Sequence, residues 1–287
     1  MTATRGRLVA GGLALAIFTA LPLLATTSRP LIVTSQDHSL VTSDDCEHFQ
    51  TRTMTSFPAQ VQAQEQRAVE LEGVDILRVR ASQEGGVTVR GWDRPIARLT
   101  ICKYAVALTQ VDAAKTLRDV SIFSRNGEIK TTGPDADTSR AWWVHMILRV
   151  PKSAALDVAS MNGGIAIRNM NGRVTAHATN GGISFASCTG DSKLTTENGG
   201  ISLEHISGRL EAMTTNGPIS YRVEAGDLTP AIEARTADES DIFCRLKACG
   251  EALPLHAGKD KVLRIGGAIP RIRLSSAKAS ILIENVR

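Results

Sequence analysis

Aromatic residues make up only 4% of this 287-residue chain. So few flat rings argue against a stacking platform for bases or sugars. Charge of one sign is also scarce, since 33 Lys and Arg stand against 29 Asp and Glu for a net +4. A balance this close to neutral gives no case for a nucleic-acid partner. Asp is nearly missing between residues 160 and 226, where Asp191 stands alone. A calcium β-roll needs an Asp in each turn, so that architecture is excluded. No Gly-x-Ser-x-Gly elbow and no phosphate loop occurs. His38, His48, His145, His177, His205 and His256 are scattered, with no pair at metal-ligating spacing. No cofactor and no metal is expected.

What is present is a repeat. Asn-Gly followed by Gly or Pro and then Ile recurs every 18 residues, at Asn162, Asn180, Asn198 and Asn216. Glycine recurs every nine, from Gly163 and Gly172 through Gly181, Gly190, Gly199, Gly208 and Gly217 to Gly226. Between the glycines apolar residues alternate, as in Ile165 and Ile167, Ile183 and Phe185, or Ile201 and Leu203. Alternation over about five residues between turn residues predicts short strands with one buried face. Asn-Gly tolerates the positive φ of a tight turn.

A left-handed hexapeptide helix shares the 18-residue coil, but six-residue steps from Ile165 land on Asn171 and His177. A hairpin meander fits the nine-residue period and leaves unexplained why strong Asn-Gly-Gly turns alternate with weaker ones. The favoured fold is all-β, a single-stranded, flattened β-solenoid with 18-residue coils, each made of two nine-residue strand-turn units. One short helix is expected near residues 112–120. Asn126 opens an earlier turn copy, two coils before Asn162. Alignment by 18 gives a turn ladder of Asn126, Asn162, Asn180, Asn198 and Asn216. It also gives a charge ladder of Arg173, Asp191, Arg209 and Asp227, with opposite charges on adjacent coils. Turn chemistry and register control explain these columns without any ligand; a regular binding surface is the alternative.

Arg5 and Arg7 precede an uncharged run from Leu8 to Ala25. That reads as a signal peptide over residues 1–27, or as an inner-membrane anchor over residues 8–25 if uncleaved. Without residues 1–27 the net charge falls to +2. The polar stretch 28–70 reads as a linker, and 71–287 as one solenoid domain. The protein is expected to be exported, to the periplasm, cell surface or medium, and to touch membrane only through an uncleaved N-terminus. Disulfides are permitted there. Cys188 falls between Met170 and Ile206 in an apolar column and reads as a buried hydrophobe. Cys46, Cys102, Cys244 and Cys249 allow three connectivities. Local pairing of Cys244 with Cys249 leaves Cys46 to join Cys102; unpaired thiols are the alternative.

The span from about residue 71 to 287 resembles the bacterial putative-adhesin domain family. The resemblance rests on Gly86-Val87-Thr88-Val89-Arg90-Gly91-Trp92-Asp93, on Arg149-Val150-Pro151 with Leu156-Asp157-Val158, on the serial Asn-Gly-x-Ile turns, and on Arg271-Ile272-Arg273-Leu274. Cys46-Glu47-His48-Phe49 and the Cys244–Cys249 pair look like one subgroup of it. The resemblance implies a β-solenoid and no catalytic residues. Asp238 and Lys278 replace the turn Asn in the last coils.

Chemistry is sparse. Glu204 and Glu211 are candidate carboxylates for a polysaccharide lyase or hydrolase, but they stand on different half-coils. Trp142 and Trp143 are adjacent, so alternation turns one ring inward and the other out. The expected function is non-enzymatic, a binding, adhesive or structural role in the cell envelope with a surface glycan or protein partner. The alternatives are an envelope polysaccharide enzyme and a membrane-anchored stress sensor.

Overall fold

The computed structural model describes Cys46 and residues 61–286, apart from 72–75, 82–83, 126, 136, 138, 225–229, 239, 252–253 and 258–259. The leader or anchor expected at 1–27 lies outside the described residues. Among these, no helix is long and apolar enough to cross a membrane.

The molecule is an all-β solenoid of two stacked sheets, and its regular part spans four coils. Their first strands are β8 (Ala155–Ser160), β10 (Val174–Ala178), β12 (Ser192–Thr196) and β14 (Leu210–Thr214). The second strands are β9 (Ile165–Arg168), β11 (Ile183–Cys188), β13 (Ile201–Ile206) and β15 (Ile219–Val223). Within these four coils each strand pairs in parallel with its equivalent in the next, 18 residues on, as Val174 with Ser192 and Ile183 with Ile201. Leu194, Leu203, Phe185 and Tyr221 point between the sheets and are fully buried, so one hydrophobic layer runs the length of the stack. Coils approach closely at the Asn-Gly turns. A Cβ on Gly181 would lie 2.2 Å from the Gly163 carbonyl oxygen, and one on Gly199 2.3 Å from that of Gly181. Only glycine fits there. Buried hydroxyls then satisfy the crowded carbonyls: Thr196 donates to Gly181 O (2.8 Å), Thr214 to Gly199 O (2.8 Å) and Ser276 to Gly217 O (3.0 Å).

The ends depart from sequence order. At the N-terminal end lie β1 (Val61–Leu71), β2 (Ile76–Arg80), β3 (Val87–Trp92), β4 (Ala97–Ala107), α1 (Gln110–Asp119), β5 (Ser121–Arg125), β6 (Glu128–Thr132) and β7 (Arg140–Pro151). The coil β2–β3, first in the chain, sits between the coil β6–β7 and the coil β8–β9. At the C-terminal end lie β16 (Ile232–Thr236), β17 (Ile242–Cys244), β18 (Pro254–Ala257), β19 (Asp260–Ile265), β20 (Ile272–Ser276) and β21 (Ile281–Asn285). There the final coil β20–β21 sits between β14–β15 and β16–β17. Both ends therefore hold a terminal coil wedged second from the outside. Antiparallel strands β4 and β1 extend one sheet, and β19 and β18 the other.

Two expectations change. Residues 61–70 are not linker: β1 pairs along its whole length with β4, from Val61 opposite Ala107 to Leu71 opposite Ala97. Its polar composition, with Val69 and Leu71 near one end, hides a strand that one long antiparallel neighbour suffices to hold. Asn126 lies outside the described residues; the strands flanking it, β5 and β6, form an antiparallel hairpin in the sheet that contains β8. The charge column continues from Arg209 to Arg271, whose carbonyl accepts from Leu210 N, because the wedged coil takes the next position. Asp227 lies outside the described residues. No ion pair joins Arg173, Asp191 and Arg209; the pairs on that side are Arg80–Asp157 (2.6 Å), Lys193–Glu211 (3.4 Å) and Arg264–Glu233 (2.8 Å). The helix expected near 112–120 is α1, Gln110–Asp119, where the Thr109 hydroxyl caps Asp112 N at 3.1 Å.

Candidate binding surface

Asn180 Nδ2 donates to Asn162 Oδ1 at 2.7 Å, Asn198 to Asn180 at 2.8 Å and Asn216 to Asn198 at 2.7 Å. Asn162 in turn donates to the Glu84 carboxylate at 2.8 Å. All four amides point the same way. Glu84 occupies the equivalent position in the wedged coil β2–β3, since Val87 aligns with Ile165. Lys278 occupies it beyond Asn216, since Ile281 aligns with Ile219. The donor end of the string thus meets a carboxylate, and its carbonyl end faces the position of an ammonium. Each Asn carries two N–H donors and two lone pairs. The ladder uses one of each, and the rungs from Asn180 to Asn216 are exposed, so every coil keeps a donor and an acceptor for an outside group.

One corner of three successive coils is bent by a non-glycine residue at positive φ, at Asn169 (59°), Ser187 (53°) and His205 (54°). These too are 18 apart. His205 Nε2 lies 2.9 Å from Glu224 and its Nδ1 3.6 Å from Glu204.

The outer face of the sheet containing β3 carries a second row, at one level across successive strands. In its C-terminal half Glu204 aligns with Arg222 and Arg222 with Glu284. Glu284 bonds both Arg222 (3.7 Å) and Arg245 (3.0 Å). In its N-terminal half Arg98 lies opposite Arg149, Arg149 beside Arg90, and Arg90 beside Arg168. The repeat could not reveal this, because Arg90 reaches its place only through the wedged coil and Arg98 through an antiparallel strand. Arg-x-Trp-Asp-Arg and Leu-Arg-Val-Pro were the visible fragments of it.

Glu204 and Glu211 fall on opposite sheets, so they form no carboxylate pair. His177 bonds the Thr195 hydroxyl at 3.0 Å. His145 bonds Thr88 at 3.0 Å, and burial pushes its pKa down to about 3. Among the described residues no three His, Cys, Asp or Glu gather as metal ligands. Trp142 packs on the main core and donates to Pro134 O at 2.6 Å. Trp143 faces outward and stacks on Tyr104 at 5.6 Å. There a small second core forms from Cys46, Cys102, Tyr104 and Ile147. Cys46 is bonded to Cys102 and Cys244 to Cys249. Cys188 is a buried free thiol, and burial pushes its pKa up to about 12.

The fold thus defines a two-sheet β-solenoid with polar columns on its edge and outer face. Three solved structures are similar to it. A putative cell adhesion protein from Clostridium sporogenes is 7% identical with a TM-score of 0.43, the match covering 78% of this chain and 100% of that one. A putative adhesin from Bacteroides fragilis is 10% identical with a TM-score of 0.38, covering 78% and 97%. A putative adhesin from Parabacteroides merdae is 6% identical with a TM-score of 0.29, covering 78% and 96%. No family model and no curated protein matches the chain.

Proposed function

We propose that this is an exported cell-envelope protein that binds a surface partner through its solenoid, without catalysing a reaction. The asparagine ladder carries the reading. It presents one spare donor and one spare acceptor per coil at a strand spacing of roughly 4.8 Å, and the glycine contacts beneath hold that spacing rigid. Such a comb suits a repetitive glycan or the edge of another solenoid. The basic and apolar N-terminal sequence and two disulfides support export. The test uses the full oxidised chain with isolated envelope material from the host, and a host strain lacking residues 28–287. Capture on the envelope and loss of attachment in the deletion strain are expected. Unchanged attachment together with altered polysaccharide turnover would sink the reading in favour of an enzyme.

A further inference from the structure

Like charges directly opposite one another across strands destabilise a sheet, yet four arginines occupy consecutive positions. Arg98, Arg149, Arg90 and Arg168 span three strand spacings, roughly 14 Å. A single acid stands toward each end: Glu70 opposite Arg98 on β1, and Glu204 two strands beyond Arg168. Neither pairs with the row. Among the described residues Arg90, Arg98 and Arg168 form no ion pair, while Asp93 nearby is engaged by Lys152 at 2.9 Å. Burial, and then the positive charge of Arg90, hold the Arg168 guanidinium below its ordinary pKa, with Glu204 pulling the other way.

A recess of about 380 Å³ opens at one end of the row, lined by Trp92, Asp93, Arg94, Arg98 and Arg149. The Trp92 ring is fixed by its Nε1 donating to Ile96 O at 2.8 Å. Arg94 and Arg149 lie over it, at 5.1 and 5.8 Å from the centroid. The ring therefore positions guanidinium groups and is not itself open for stacking.

We propose that this arginine row binds a linear acidic polysaccharide, its oxyanions taken by the Arg90, Arg98 and Arg168 guanidiniums; the proposal rests on the surface-binding reading above and names its ligand class. A guanidinium accepts a carboxylate or phosphate bidentately, and the row is one side chain wide, so it matches a polymer chain better than a plane of headgroups. Among the described residues none of the exposed large apolar side chains lies on β3, β4, β7 or β9, so none of them stands beside the row to enter a bilayer.

The oxidised full chain is titrated with polygalacturonate, with neutral dextran and with phosphatidylglycerol vesicles, at low and high salt. Polygalacturonate alone is expected to bind, weakening on the order of tenfold or more as salt screens the contacts. Arg90→Gln with Arg168→Gln should abolish that binding, while Arg222→Gln with Glu284→Gln at the other end should leave it. Melting checks that the first pair folds; should it not, Arg98→Gln at the exposed end is expected to lose several-fold. Equal binding by the arginine variants, equally tight binding of vesicles or dextran, or no binding of polygalacturonate would overturn the proposal. Envelope capture of the wild type under the same conditions tells which reading has failed: if capture persists, only the acidic ligand is wrong.

Discussion

The two ends of the solenoid share one topology and differ in charge. Each holds a terminal coil wedged second from the outside, and each carries a disulfide and an antiparallel extension. At the C-terminal end the outer row alternates in sign, with Glu284 bonded to two arginines. At the N-terminal end the same level of the same sheet is arginine four times over. The wedge therefore does not demand the arginines, and stability argues against them. A pattern that the architecture neither needs nor favours points to something outside the molecule.

The largest effect should come from removing a wedge. A chain ending at residue 268 lacks β20 and β21, leaving β14, β15, β16 and β17 without their shared neighbours. It should lose its cooperative melting transition and aggregate through the exposed edges, seen by circular dichroism and size exclusion. A soluble, cooperatively folded product would mean that the outer coil does not depend on the wedge.

Removing the disulfides should rank the ends. Cys46 and Cys102 are separated by 56 residues, Cys244 and Cys249 by five. Chain-entropy reasoning gives about 4 kcal/mol for the first bridge and about 2 kcal/mol for the second. Denaturant titration of the two double Cys→Ser variants reads both. Equal losses would show that the N-terminal bridge gains nothing from its long loop.

Acid should weaken the N-terminal end selectively. His145 has its pKa lowered from 6.5 to about 3, chiefly by burial, so the folded form stays neutral while the unfolded chain takes up a proton below pH 6.5. That contribution is whole above pH 6.5 and is lost progressively as pH falls towards 3. His145→Gln should flatten this arm of the stability profile, and hydrogen exchange should place the acid-sensitive opening in β3, β4 and β7. An unchanged profile would show that the imidazole is wetter than its surroundings imply.

The smallest effect is the most discriminating. Arg90→Gln should raise stability and Glu284→Gln lower it, each by about 0.2–1 kcal/mol. Opposite signs at equivalent levels of one sheet are the comparison in its plainest form. Two losses would make the arginine row a structural asset.

Much of this architecture was legible in the sequence because the repeat is itself a contact map. Wherever chain order equals spatial order, the 18-residue step names the neighbour, as it does for Asn162, Asn180, Asn198 and Asn216. The reading failed where the two orders part. An 18-residue step pairs Arg209 with Asp227, whereas its neighbour on that side is Arg271, 62 residues on. β1 escaped notice because its polar residues carry little hydrophobic signal. The arginine row escaped for another reason: net charge sums over the chain, so a +4 total conceals four positive side chains on adjacent strands.

The Cys46–Cys102 bond also sets how the molecule bears load. Tension applied to the chain before Cys46 passes through the disulfide into β4, bypassing residues 47–101 altogether. The wedged coil β2–β3, with Arg90 and Arg98, thus sits in a closed loop that carries no force. Tension at the other terminus meets β21 lengthwise between β15 and β17, so two ladders must shear together and no edge strand can peel away alone. For a molecule held at one end and pulled at the other, the coil presenting Arg90 would remain folded until β4 or β21 gave way.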